Sequence, residues 1–185
     1  MKKTLLATFG LLTFSLFAFG PATKLTSTKT HIRFFSHTPV EDIEAHNHQA
    51  IATLDLASGA MAFSVPMQAF QFEKALMQKH FNQPNFLDTK KHPKATFSGQ
   101  IIDFPNIDLQ KNGQYKVTVK GTMTLHGQTK EITEKGTLEV KGAEIHSHAK
   151  FNITLADYGV VFDKGKPASN IAKTVEVTTE AIFNK

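Results

Sequence analysis

The sequence predicts an all-β protein, an eight-stranded antiparallel up-and-down barrel with one short helical segment. Three observations predict this fold. Apolar and polar residues alternate through most of the chain, short links rich in turn residues join the alternating segments, and only one stretch shows helical spacing. Short links favour antiparallel neighbours, and closing the sheet into a barrel removes its exposed edges.

The N-terminus is interpreted as a secretory signal peptide over residues 1–22. Residues 1–3 are positively charged, residues 5–19 are mostly apolar, and small residues follow at 20–22. An apolar run of this length is shorter than the about 20 residues that a helix needs to span a bilayer, so no stable membrane span is predicted. We therefore expect a barrel domain over residues 23–185 in the periplasm or outside the cell. The alternative is an uncleaved N-terminal anchor helix.

The strands follow from the alternation and from the turn residues between the segments. In chain order the first strand opens at 30–35, the second ends with 50–56, and the others cover 60–66, 94–103, 115–126, 130–140, 144–155 and 171–182. Between the third and fourth strands, the apolar spacing of residues 73–81 predicts a helix that Pro84 ends.

Side-chain parity predicts which face of each strand turns inward. In the fifth strand Val117, Val119 and Met123 share one face with Gly121, while threonine and lysine occupy the other. The chain has 16 Phe, 2 Tyr and no Trp, which is typical of a strongly apolar interior. An eight-stranded barrel either packs its interior with side chains or holds one small ligand, and parity leaves both possibilities open.

Several functional classes are excluded by composition and motifs. The absence of cysteine excludes disulfides, thiolate zinc sites and cysteine nucleophiles. No phosphate-binding glycine loop, zinc-protease motif or serine-hydrolase motif is present, so no catalytic residue is predicted. Arg33 is the sole arginine and the lysines are scattered, which disfavours nucleic acid as a partner.

Three ordered segments carry a family resemblance: residues 70–99 (FQFEKALMQKHFNQPNFLDTKKHPKATFSG), 121–132 (GTMTLHGQTKEI) and 151–160 (FNITLADYGV). They resemble the YceI-like family of secreted bacterial proteins. The resemblance implies a lipocalin-like barrel with a helical segment over one end. Its cavity would hold a long apolar chain such as a polyisoprenoid, an isoprenoid quinone or a fatty amide, for transport or storage. No cofactor other than this non-covalent lipid is expected, and a homodimer is possible.

The residues expected to line the cavity are apolar side chains on the inward face of the strands or on the helical segment. They are Phe34, Phe63, Phe72, Leu76, Phe81, Phe97, Val117, Val119, Met123, Phe151 and Ile153. Because each buried CH2 group contributes about 0.8 kcal/mol, such a lining would bind a prenyl chain without polar contacts. A lining of this kind discriminates weakly between lipids of similar girth.

Glu134 departs from the family pattern, in which an apolar residue is usual at this position. It has the same parity as Ile132 and Leu138, so its carboxylate is expected to face the interior. One interpretation is a polar contact with a ligand head group. The other is a strand bulge or a rim position at which the carboxylate reaches water.

The nine histidines suggest a metal site, because two pairs are spaced two residues apart in strands. His146 and His148 share the parity of the polar face, so we expect them in solvent and predict no metal site. His46 and His48 share the parity of Ala50, whose face is expected to turn inward. They would line the barrel mouth and bind a quinone oxygen or a phosphate, or else occupy a plain loop or rim.

Two functions of other classes remain open from the sequence. One is an enzyme that acts on a lipid-like substrate in the same cavity, with Glu134 or His46 as the general base. The other is a structural barrel with a solid core and no ligand, which predicts that no cavity exists.

Overall fold

The computed structural model describes residues 23–102, 104–162 and 169–185. Within these residues the chain forms eleven strands and one α-helix. They are β1 (Lys24–Ser27), β2 (Lys29–His37), β3 (Asp42–Asn47), β4 (Ile51–Asp55), β5 (Ala60–Pro66), β6 (Gln71–Phe72), α1 (Ala75–Phe81), β7 (Lys94–Ile101), β8 (Gly113–Leu125), β9 (Gln128–Lys141), β10 (Glu144–Thr154) and β11 (Thr174–Asn184). The predicted signal peptide, residues 1–22, lies outside the described residues.

All strands belong to one antiparallel sheet with the order β1-β4-β5-β7-β8-β9-β10-β11-β2-β3-β6. Only Thr28 separates β1 from β2, yet β1 pairs with β4 and β2 pairs with β11, on opposite sides of this order. The sheet must therefore curl back on itself. The Ser27 hydroxyl joins the two sides by donating a hydrogen bond to the Ile182 carbonyl of β11 at 2.5 Å.

The predicted all-β antiparallel fold with a single helical segment is confirmed, and the strand count differs. Two strands were predicted in the N-terminal region, but this region forms four strands, β1 to β4. The additional breaks lie at Thr28 and between Asn47 and Ile51. At the second interruption the Asn47 side chain accepts a hydrogen bond from the Gln49 amide and donates one to the Pro66 carbonyl. Such an asparagine contact competes with the strand ladder and turns the chain. The two-residue strand β6 is the other addition.

One end of the barrel is closed by tightly packed apolar side chains. Ile101, Leu138, Ile145 and Phe183 are at most 1% exposed there, and Phe104 of a short 3-10 helix packs against the same cluster. At the opposite end, α1 and the loop after it contribute Phe81 and other side chains to a second apolar cluster. Among the described residues no helix combines the length and the apolar character needed to cross a membrane.

Two facing glycines let β7 and β8 approach closely beneath an aromatic ring. Gly99 pairs with Gly121, and a Cβ atom on Gly121 would lie 2.5 Å from the Gly99 Cα and 2.9 Å from the Phe97 ring. A methyl group at this position has no space. We expect Gly121→Ala to lower the free energy of unfolding by about 1–3 kcal/mol, measured by urea denaturation.

Gly113→Ala is the matched control, because the nearest atom to its Cβ would be 3.8 Å away. This variant should unfold at nearly the same urea concentration as the wild type. An equal loss of stability in both variants would show that the effect does not come from the crowding at Gly121.

Candidate ligand-binding cavity

A cavity of about 550 Å³ lies inside the curled sheet, between the closed end and α1. Strands on both sides of the barrel turn their apolar side chains toward it, and α1 covers one end. A cluster of four phenylalanines stands at this covered end. The Phe34 ring stacks on that of Phe81 at a centroid distance of 5.7 Å, and the rings of Phe70 and Phe72 lie within 5.6 Å of Phe34.

Most of the residues expected to line the cavity are brought together around it. The structure places on its wall Phe34, Phe63, Phe72, Leu76, Phe81, Phe97, Val119, Met123, Glu134, Phe151 and Ile153. Each strand residue in this set lies where its side-chain parity predicts. The interior is apolar enough for a hydrocarbon chain and carries few groups able to orient a ligand.

Val117 is a wrong prediction for the cavity wall. It faces inward as its parity requires, but it is only 5% exposed and packs into the closed end with Leu138. Parity specifies the face of a strand, whereas the level along the barrel axis depends on the register of the neighbouring strands. On β8 the closed end reaches Val117, and the cavity begins at Val119.

The inward placement predicted for His46 and His48 is also wrong, because both lie on the outside of the barrel. On β3 the buried side chains are Ala45 and Asn47, so His46 faces outward. The interruption after Asn47 changes the parity, and Ala50 therefore does not report the direction of either histidine.

On the outer surface these histidines stack with His31. The His31 and His48 ring centroids are 4.5 Å apart, and His31 Nε2 lies 2.9 Å from His46 Nδ1. His46 Nε2 contacts Glu44 Oε1 at 2.7 Å. No group of three or more His, Asp or Glu side chains in the described segments is arranged to hold a metal ion.

Glu134 reaches the cavity wall from β9, opposite Val119 of β8. The side chain is half-buried and forms no ion pair or hydrogen bond with any described residue. Burial raises the pKa of the Glu134 carboxyl above its ordinary value, because the apolar surroundings disfavour the charged form. Glu134 is therefore a carboxyl group on the wall of a mostly apolar cavity, which Glu41, Lys74 and His80 also line.

A polar network tethers the segment before α1 near the cavity mouth. Glu41 accepts a hydrogen bond from Asn170 at 2.8 Å and pairs with the Lys74 ammonium at 3.1 Å. These contacts hold the pKa of the Glu41 carboxyl below its ordinary value. The network joins three separate segments of the chain, so it helps to hold α1 over the cavity.

Part of the cavity wall was not predicted from the sequence. The missed residues include Ile32, Met61, Val65, Phe70, Phe86, Val175 and Val177. For Ile32, Met61 and the three valines, the alternation of side chains within their strands could have predicted an inward direction. Phe70 and Phe86 lie in segments outside the strands, where no periodicity indicates the direction of a side chain.

Comparison with known proteins identifies the family of this chain. The model of the YceI-like domain matches residues 24–183. A UPF0312 protein of Pseudomonas putida strain W619 is 31% identical over 113 residues, which cover 58% of this chain and 54% of that protein. A UPF0312 protein of Vibrio cholerae strain M66-2 is 34% identical over 79 residues, 42% of this chain and 38% of that protein. The aligned regions span about half the length of these curated relatives or less.

Two solved structures share the fold at low sequence identity. BcnA of Burkholderia cenocepacia superposes with a TM-score of 0.69 and 18% identity, over 83% of this chain and 96% of that chain. A polyisoprenoid-binding domain of Saccharophagus degradans, implicated in plant cell wall breakdown, superposes with a TM-score of 0.73 and 13% identity, over 88% and 98% of the two chains. With a family model that matches residues 24–183, this chain belongs to the YceI-like family.

Proposed function

We propose that this protein binds the long apolar chain of a polyisoprenoid or a similar lipid in its barrel cavity. The proposal includes a location in the periplasm or outside the cell, where the protein would store or carry the lipid. The observation that carries it is the cavity of about 550 Å³ with an almost wholly apolar wall. The fold shared with a polyisoprenoid-binding domain of Saccharophagus degradans supports it.

The physical basis of binding would be the transfer of hydrocarbon out of water. Pockets that hold small molecules usually measure about 300–1,000 Å³, and this cavity lies within that range. Each CH2 group that enters contributes about 0.8 kcal/mol, so affinity should grow with the length of chain that the cavity accommodates. The mobile tail would be ordered mainly by contacts with the phenylalanine cluster.

The presence of a cavity affects the two alternative functions differently. A barrel with a solid core predicts no cavity, so a ligand-free structural role lacks support. An enzyme acting on a lipid-like substrate retains one supporting observation, the half-buried Glu134, whose raised pKa suits a general base. His46 lies outside the barrel and is not available to such a substrate.

Native mass spectrometry of the protein isolated from its own cells, with organic extraction of the bound material, tests the proposal. We expect one long-chain lipid per protein chain and unchanged lipid after incubation. A chain that carries no lipid and also fails to take up added isoprenoids would overturn the binding function. A lipid that is recovered chemically altered would favour the enzyme.

The polar network at Glu41 should slow the release of bound lipid. Glu41→Gln removes the charge that Lys74 contacts, and an exposed ion pair contributes only weakly to holding two segments together. We therefore expect an about two- to threefold faster dissociation of a bound fluorescent fatty chain in stopped-flow measurements. The wild-type network should weaken as the pH falls through the lowered pKa of Glu41, because protonation removes the same charge.

Glu180→Gln is the matched control for the release experiment. Glu180 also contacts a basic side chain, His31 at 3.2 Å, but on the outer surface of the barrel. The Glu180→Gln variant should release the fluorescent fatty chain at the same rate as the wild type. Equal rates in all three proteins would show that the network does not control release.

A further inference from the structure

The wall of the barrel opens between β9 and β10. Near the closed end these strands pair from Lys141 and Glu144 to Gly136 and Ala149, where the pairing stops. Beyond that point β9 remains paired with β8 as far as Gln128, and β10 remains paired with β11 as far as Thr154. The two strands therefore separate from each other while each keeps its other neighbour.

A pocket of about 290 Å³ occupies this lateral cleft. Lys130 to Glu134 of β9 form one side, and β10 with the 3-10 helix Leu155–Tyr158 forms the other. Five wall residues belong both to this pocket and to the apolar cavity: Met123, Ile132, Glu134, Phe151 and Ile153. A molecule whose tail lies in the cavity can therefore place its end in the cleft without leaving the protein.

Tyr158 is held at the cleft with an unused hydroxyl group. The residue is 3% exposed, and its backbone carbonyl lies 3.0 Å from His126 Nδ1, which fixes its position. Its hydroxyl forms no hydrogen bond with any residue that the structure describes. Because no buried side-chain oxygen of the described residues lacks a partner, this hydroxyl must reach open space at the cleft, where a ligand can hydrogen-bond to it.

Glu134 and Tyr158 are electrostatically linked. Burial is the main cause that raises the pKa of Tyr158, and the nearby negative charges of Asp157 and Glu134 raise it further. The charged groups that line the cleft are Lys130, Glu131, Glu134 and Asp157, three carboxylates and one ammonium. This balance favours a positively charged head group over phosphate or another anion.

We propose that the lateral cleft is a head-group subsite for a long-chain amphiphile with a protonated amine, in which the amine donates hydrogen bonds to the Glu134 carboxylate and the Tyr158 hydroxyl oxygen. The proposal rests on the proposed function, because the hydrocarbon tail must occupy the apolar cavity. It adds a preference among lipids that the apolar wall does not supply. A charge-assisted hydrogen bond at the edge of an apolar cavity is stronger than one between neutral groups.

Three probes with the same tail test this subsite: dodecylamine, dodecanol and dodecyl phosphate. Each is titrated against the wild type, Glu134→Gln and Tyr158→Phe, with displacement of a bound fluorescent fatty chain as the readout. In the wild type we expect dodecylamine to bind at least about tenfold more tightly than dodecyl phosphate. Glu134→Gln should remove most of this preference, and Tyr158→Phe should weaken amine binding about threefold. Dodecanol should bind all three proteins similarly.

Glu139→Gln is the control for the loss of one negative charge. Glu139 lies on the same strand but forms an ion pair with Lys141 at 2.7 Å, away from the cleft. This variant should keep the wild-type preference for the amine. Circular dichroism verifies that each variant is folded before titration.

The outcomes separate the subsite from the cavity. If dodecanol fails to bind the wild type, the proposed lipid-binding function is wrong. If dodecanol binds but the wild type shows no preference for the amine, or Glu134→Gln retains that preference, the head-group subsite is wrong while the cavity function stands. Tighter binding of dodecyl phosphate would likewise overturn the subsite.

Discussion

Val119→Trp and Met123→Trp are each expected to abolish the uptake of long-chain lipid while the barrel stays folded. Both residues lie on β8, face inward and contribute to the cavity wall. An indole ring at either position would fill space that the hydrocarbon chain needs. Overpacking usually costs about 1–3 kcal/mol in a filled core, and here the indole ring can extend into the cavity, so the strain should be smaller.

The measurement is the lipid content of each purified variant by native mass spectrometry, followed by titration with a fluorescent fatty chain. Thr122→Trp is the matched control, because Thr122 lies on the same strand but is exposed on the outer face. The control should retain lipid at the wild-type level. Unchanged lipid content in both inward variants would show that the ligand does not occupy this cavity.

Phe183→Ala is expected to lower the free energy of unfolding by about 3–5 kcal/mol. The Phe183 side chain has no exposed surface and pairs across the strands with Ile145 in the closed end. Removing its ring leaves a void. The surrounding strands fill this void poorly, because backbone hydrogen bonds hold them in place. The loss should appear in urea denaturation as a lower midpoint with an unchanged slope.

Leu76→Ala provides the contrast at the opposite end of the barrel. Leu76 lines the cavity from α1 but is 62% exposed. Truncating Leu76 should therefore change the free energy of unfolding much less than truncating Phe183 does. We expect Leu76→Ala to weaken lipid binding instead. Similar stability in Phe183→Ala and the wild type would contradict the prediction that the closed end depends on the packing of the Phe183 ring.

The inward face of the strands was predictable from the sequence. Phe97, Met123 and Phe151 reach the cavity wall as their parity predicts. This succeeds because successive side chains of a strand point to opposite faces, so the pattern depends on local backbone geometry alone. The family resemblance and the single helical segment rest on equally local signals in the chain.

The sequence did not predict how far along the barrel axis a side chain lies. Val117 and Val119 have the same parity, but the first is packed into the closed end and the second lines the cavity. Their environments differ because of the register with neighbouring strands and the side chains that meet there. His46 was misplaced for a related reason, since an interruption in the strand reset the parity on which its direction depended.

Local sequence therefore determined the all-β class, the inward faces and most of the apolar residues available for a ligand. The tertiary structure alone decided that these residues enclose a cavity, that β9 and β10 separate beyond Gly136, and that Glu134 and Tyr158 line the same opening. The physical reason is the distance in sequence over which each feature is decided. Parity arises between adjacent residues, whereas a cavity and a cleft arise where segments distant in sequence meet or fail to pair.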